Sequence, residues 1–149
     1  MNKLRKLIWF LPSFIWMIII FLFSNQHAEA SNKNNFVIAD ALIKGKINFF
    51  KYIDYDFLNF LIRKAAHITE YFILFMLLYF AFKNTFYKNI KIKASSTTIL
   101  YACTDEFHQI FIPGREGKIR DVFIDSIGVF VGLFLIYIFK SIRKSRKRK

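Results

Sequence analysis

The stretch Asp105-Glu106-Phe107-His108-Gln109-Ile110-Phe111-Ile112-Pro113-Gly114-Arg115 puts two adjacent carboxylates, an imidazole, an amide and a guanidinium close together, and Asp121 and Asp125 follow. Side chains of these types can hold a cation, relay a proton or orient an anion. A second polar set, Lys64, His67, Glu70 and Tyr71, interrupts another apolar run. A charge near the middle of a bilayer costs at least about 2.5 kcal/mol, so it persists where it faces a bundle interior and has a task.

The lipid setting follows from the rest of the chain. Of its 149 residues 55% are apolar and 19% aromatic, with 20 Phe. The apolar residues gather in blocks at about 7–23, 57–82, 94–112 and 122–139. Each block approaches the roughly 20 residues of a spanning helix. The expected fold is therefore an all-α membrane protein, one domain over 1–149 with four transmembrane helices. An external interfacial helix is expected between the first two spans, where residues 36–53 mix apolar side chains with Lys44, Lys46 and Lys51. Phe49, Phe50 and Tyr52 in that segment and Tyr55 just after it are aromatics suited to headgroup level. The preceding residues, 24–32, read as polar loop, and Asp54 or Asp56 is placed to cap the second span.

Basic residues fix the expected orientation. Three precede the first block, four lie between the second and third (Lys83, Lys88, Lys91 and Lys93), and seven fall in the tail 140–149. Together these are fourteen of the 23 Lys and Arg, with no acid among them. By the positive-inside rule both termini and the central loop are cytoplasmic in a multi-pass protein of the cell membrane. The net charge of +13 then reports topology and attraction to anionic lipid, not nucleic acid. A basic start, an apolar run and Ala28-Glu29-Ala30 imitate a cleavable signal, but the run over 7–23 is long enough to be retained as a span. Cys103, the single cysteine, can form no disulfide within the chain and reads as a small buried hydrophobe.

Helical periodicity converts the polar residues into faces. Lys64, His67, Tyr71, Leu74 and Leu78 fall in one stripe of about 80°, bordered by Glu70. Asp105, His108, Gln109 and Ile112 share a face with Glu106 at its edge, and Pro113-Gly114 ends that helix. Asp121, Asp125, Gly128 and Gly132 lie on one line, the glycines permitting close helix packing beneath the acids. All three sets reach one level in the outer half of the bilayer, with Arg115 and Arg120 on the loop above. One shared pocket is expected there, in which five acids outnumber Lys64, Arg115, Lys118 and Arg120. The bland alternatives are a self-neutralising His67 pair, Asp121 as the N-cap of the fourth span, and Arg115 snorkelling to headgroups.

At these residues the chain resembles the VanZ-like family of small bacterial membrane proteins. The likeness rests on Lys64-x-x-His67-x-x-x-Tyr71-x-x-Leu74, Asp105-Glu106-x-x-Gln109-x-x-x-Pro113-Gly114-Arg115, Asp121 with Gly128 and Gly132, and Ser24-x-Gln26. It runs from about Ile8 to Phe139. Asp125 departs from a family pattern that usually has Asn there, adding a negative charge. The resemblance implies a cell-envelope context linked to teicoplanin susceptibility; it supplies no reaction.

Three functions fit these residues. The favoured one is binding or handling of an envelope lipid or lipid-linked cell-wall precursor, with Lys64, Arg115 and Arg120 on an anionic headgroup. The second is an intramembrane metal-dependent hydrolase or transferase using Asp105, Glu106, Asp121 and Asp125 with His67 or His108, although no H-x-x-x-H spacing supports it. The third is a proton-coupled carrier or a scaffold for cell-wall enzymes. Enzymatic activity, cofactor and oligomeric state are left open, and no metal ligand is assigned.

Overall fold

The structure, a computed structural model, describes residues 3–44, 54–86 and 88–146. Its elements are α1 (Lys3–Ile8), α2 (Leu11–Ser24), α3 (Ala28–Lys44), α4 (Tyr55–Thr85), α5 (Ile90–Gln109) and α6 (Ile119–Arg146), with no strand among the described residues. Pro12 explains the break between α1 and α2, because it donates no backbone hydrogen bond and its ring clashes with the preceding turn. Among the described residues three helices are long and apolar enough to cross a membrane: Lys6–Ser24, which spans that break, Tyr55–Thr85 and Ile119–Arg146.

The third expected span, 94–112, is a different kind of helix. α5 has 20 residues, about 30 Å at 1.5 Å per residue. Lys91 and Lys93 sit at one end, Asp105 and Glu106 near the other, and Ser95, Ser96, Thr97 and Thr98 between them. Hydroxyls on this helix bond back to its own carbonyls, as from Thr98 to the Ala94 carbonyl at 2.9 Å, which lowers the polarity they present. It ends at Gln109, three residues short of the expected boundary.

α4 is the hub, touching α6, α5, α3 and α2. The core around it gathers Tyr71, Leu74, Phe75, Leu78, Ile20, Ala94, Ala102, Val129 and Ile136. α2 is pinned by polar bonds as well: the Trp16 indole donates to the Glu70 carbonyl at 2.9 Å, and the Tyr101 hydroxyl to the Met17 carbonyl at 2.6 Å. α3 begins eight residues before the expected interfacial helix, so the polar loop shrinks to residues 25–27. Ala28, Glu29 and Ala30 are strong helix formers, which polarity alone does not reveal. α3 is fastened to α4 by amides, Asn35 to Asn59 at 2.9 Å and Asn59 to Asn32 at 3.1 Å. Phe49, Phe50 and Tyr52 lie outside the described residues.

The expected cap on the second span is Asp54, whose carboxylate accepts from the backbone N–H of Asp56 and Phe57 at 3.1 and 3.2 Å. The basic tail continues α6 as helix through Arg146. Cys103 is exposed rather than buried, since the inner face of α5 is taken by Thr98, Ala102, Asp105, Glu106 and Gln109.

Candidate functional site

The site is built from the α4 face, the end of α5, the following loop and the start of α6. Ile112-Pro113-Gly114-Arg115 closes a β-turn with a 3.0 Å bond from the Arg115 N–H to the Ile112 carbonyl. Gly114 has φ 77°, the positive value a type II turn needs after proline. This turn aims Arg115 back at the end of α2, where its Nε donates to the Gln26 carbonyl at 2.8 Å and its Nη2 to the Phe23 carbonyl at 3.2 Å. Arg115 is therefore fastened to one carbonyl in the last turn of α2 and one in the loop after it rather than snorkelling. Burial, with Arg63 adding to it, pulls the guanidinium below its ordinary pKa. In the same loop the Lys118 ammonium pairs with Glu116 and holds that exposed carboxyl below the usual range.

The carboxylates divide among separate partners. Asp105, 3% exposed, accepts from the Tyr71 hydroxyl at 3.1 Å and from Gln109 Nε2 at 3.2 Å. Glu106 accepts from the Lys118 backbone N–H at 3.0 Å, tying the loop to α5. Asp121 pairs with Lys64 at 2.7 Å and more loosely with Arg120 at 3.7 Å. It stands in the first turn of α6 rather than at its N-cap. His67 Nδ1 lies 3.8 Å from Glu70 and 3.7 Å from Asp125, and it makes no hydrogen bond. His108 is instead taken up by α2, with Nε2 3.3 Å from the Asn25 amide oxygen and its ring 4.8 Å from that of Phe21. Among the described residues no three His, Cys, Asp or Glu side chains converge as a metal ion requires. Asp105, Glu106, Asp121 and Asp125 therefore form no common ligand set.

Two cavities border these groups on the side of α4. One, of about 300 Å³, is lined by Lys64, Glu106, Gln109, Lys118, Arg120 and Asp121 among others. A second, of about 270 Å³, reaches Ser24, Gln26, Asn35 and Glu70. Arg63, His67 and Arg115 line both and form the wall between them. Tyr71, Asp105 and Asp125 line neither. Gly128 and Gly132, both buried, press α6 against α4 beneath them.

The structure adds Arg63, which sequence reasoning passed over. Its Nε is buried without a partner. Among the described residues neither Arg63 nor Arg115 pairs with a carboxylate. The available signal was spacing: Arg63, His67 and Glu70 recur at i, i+4 and i+7, a stripe beside that of Lys64.

Asp125 gives a local prediction. It is 2% exposed, and its Oδ2 has no hydrogen-bond partner, a costly situation for a carboxylate. Asp125→Asn is expected to leave the melting temperature in detergent unchanged or to raise it. A marked fall would show that the charge itself is held, by His67 or by a bound cation.

Among known proteins, the family model described as VanZ/LLP1 matches residues 5–140. No curated protein and no solved structure is significantly similar to the chain.

Proposed function

The chain belongs to the VanZ/LLP1 family, and from that membership we propose that it is a bacterial cell-envelope protein that binds or handles an envelope lipid or lipid-linked wall precursor by its anionic headgroup. In this reading α5 crosses the membrane as the third of four spans, α3 rests at the outer interface and both ends are cytoplasmic, so the two cavities open on the outer side. The family's teicoplanin link suits a ligand from the wall-precursor pathway.

One observation carries the reading: Arg63 and Arg115 stand between two cavities and, among the described residues, have no carboxylate partner. Lys64, by contrast, is already neutralised by Asp121. A planar guanidinium that lines a cavity suits the oxygens of a phosphate. Fastening Arg115 to backbone carbonyls preorganises it without cancelling its charge.

Native mass spectrometry of the protein in mild detergent, supplied with a polyprenyl phosphate, tests this. The wild type is expected to retain the lipid, and Arg63→Gln to lose at least about tenfold in affinity, the worth of one charge-assisted hydrogen bond. Equal retention by both proteins would remove the headgroup assignment. Topology has its own test. Single cysteines introduced at 25–44 or 114–118 in a Cys103→Ala background are expected to label from outside, and those at 88–89 or 144–146 from inside. External labelling of the tail would overturn the orientation.

A further inference from the structure

The larger cavity does not end at polar side chains. Glu106 and Lys118 line it on one side, and on their other side they line an apolar groove of about 590 Å³ between α5 and α6. Ile99, Phe107, Ile110, Val122, Phe123 and Phe130 form most of that groove. Phe107, Ile110, Phe123 and Phe130 are all more than half exposed, so the groove opens sideways along the bundle. From Ile119 to Phe130 it follows about 17 Å of α6 at 1.5 Å per residue. The loop crosses its mouth at Gly117, where any Cβ would strike the Glu106 carbonyl and Ile110. The bond from the Lys118 N–H to Glu106 holds that crossing in place. A basic cavity and an apolar channel thus share two residues at their junction.

We infer that the ligand is a long-chain lipid phosphate whose hydrocarbon tail lies in the α5–α6 groove while its phosphate reaches Arg63 and Arg115. This rests on the headgroup reading above and adds the path of the chain. Two features argue for a chain there rather than a protein partner. The groove adjoins, through Glu106 and Lys118, a cavity lined by two guanidinium groups that pair with no carboxylate among the described residues, and its exposed aromatic rings suit the hydrocarbon phase better than water. The ligand enters laterally from the bilayer, with Glu106 and Lys118 as the gate between tail and head.

The test uses nanodiscs of phosphatidylcholine containing a minor fraction of a long-chain alkyl phosphate with a diazirine in its chain. A control set carries the same chain on a phosphocholine headgroup. Irradiation and peptide mapping are expected to place adducts on Ile99, Cys103, Phe107 and Val122 at least about fivefold more often for the phosphate than for the phosphocholine. Arg63→Gln is expected to erase that difference. Val122→Trp, which fills the groove, is expected to move the adducts elsewhere while phosphate binding, read by native mass spectrometry, persists. Phosphate-dependent, Arg63-dependent binding with adducts scattered around the whole perimeter would overturn the groove and leave the headgroup reading standing. Absence of any difference between headgroups in both measurements would overturn both. Should Val122→Trp fail to fold, the wild-type adduct map decides alone.

Discussion

Lys64→Met is expected to lower the stability of the detergent-solubilised protein by about 3 kcal/mol, the low end of the cost of stripping one partner from a buried ion pair. The Lys64 and Asp121 side chains are 15% and 12% exposed and 2.7 Å apart. Among the described residues the other cation beside Asp121 is Arg120, at 3.7 Å and 67% exposed, which is too solvated to replace an ammonium held inside. The low end applies because the pair borders a cavity that admits water. At about 2–4 °C per kcal/mol for a chain of this size, the melting temperature falls by roughly 6–12 °C.

A double-mutant cycle isolates the interaction. Asp121→Asn alone is expected to cost less, because the flexible Lys64 stem can turn its ammonium toward the cavity and over the Phe60 ring, already 5.6 Å away. Lys64→Met with Asp121→Asn is expected to recover most of the loss of the single Lys64 change. Strict additivity of the two changes would show that the pair contributes nothing as a pair.

That ion pair was partly legible in the sequence, because periodicity alone put Lys64 and Asp121 on inward faces of adjacent helices. The same arithmetic found Asp121, Asp125, Gly128 and Gly132, and all four are buried in α6. It failed where a side chain leaves its helix for a partner fixed only by tertiary packing. His108 shares the inward stripe of α5 yet turns to Asn25 and Phe21. Arg115 was visible as a charge after a Pro-Gly turn, but nothing local says that the turn delivers it to the carbonyls of Phe23 and Gln26.

The single expected pocket failed for a related reason. Counting charges by level says which groups share a depth, not which of them stand in front of one another. Arg63 divides the space in two, whereas Tyr71 bonds to Asp105 away from both cavities. α5 was harder still, since the lysines at its start and the acids near its end make composition ambiguous between span and surface helix. Contacts with α4 and α6, rather than hydropathy, place it inside the bundle.

Gly128→Ala is expected to destabilise the protein even though alanine is the better helix former. In a free helix the change would gain up to about 1 kcal/mol. Here the new Cβ would run into the Ile68 carbonyl oxygen and lie 2.6 Å from the Phe72 amide nitrogen, both backbone atoms of α4. Backbone cannot rotate aside, so the helices must part, and overpacking of this kind costs about 1–3 kcal/mol. Gly128→Leu extends the clash and is expected to exceed roughly 4 kcal/mol, enough to prevent recovery of folded protein. At Gly132 the obstacle is the Phe75 ring, a side chain able to shift, so Gly132→Ala is expected to cost less than Gly128→Ala. Because α4 and α6 also carry Lys64 and Asp121, parting them widens the cavity above, and binding of a lipid phosphate is expected to fall together with the melting temperature in Gly128→Ala. A Gly128→Ala protein that melts at or above the wild-type temperature would mean that the two helices do not cross at this glycine, and the geometry of the site above it would have to be redrawn.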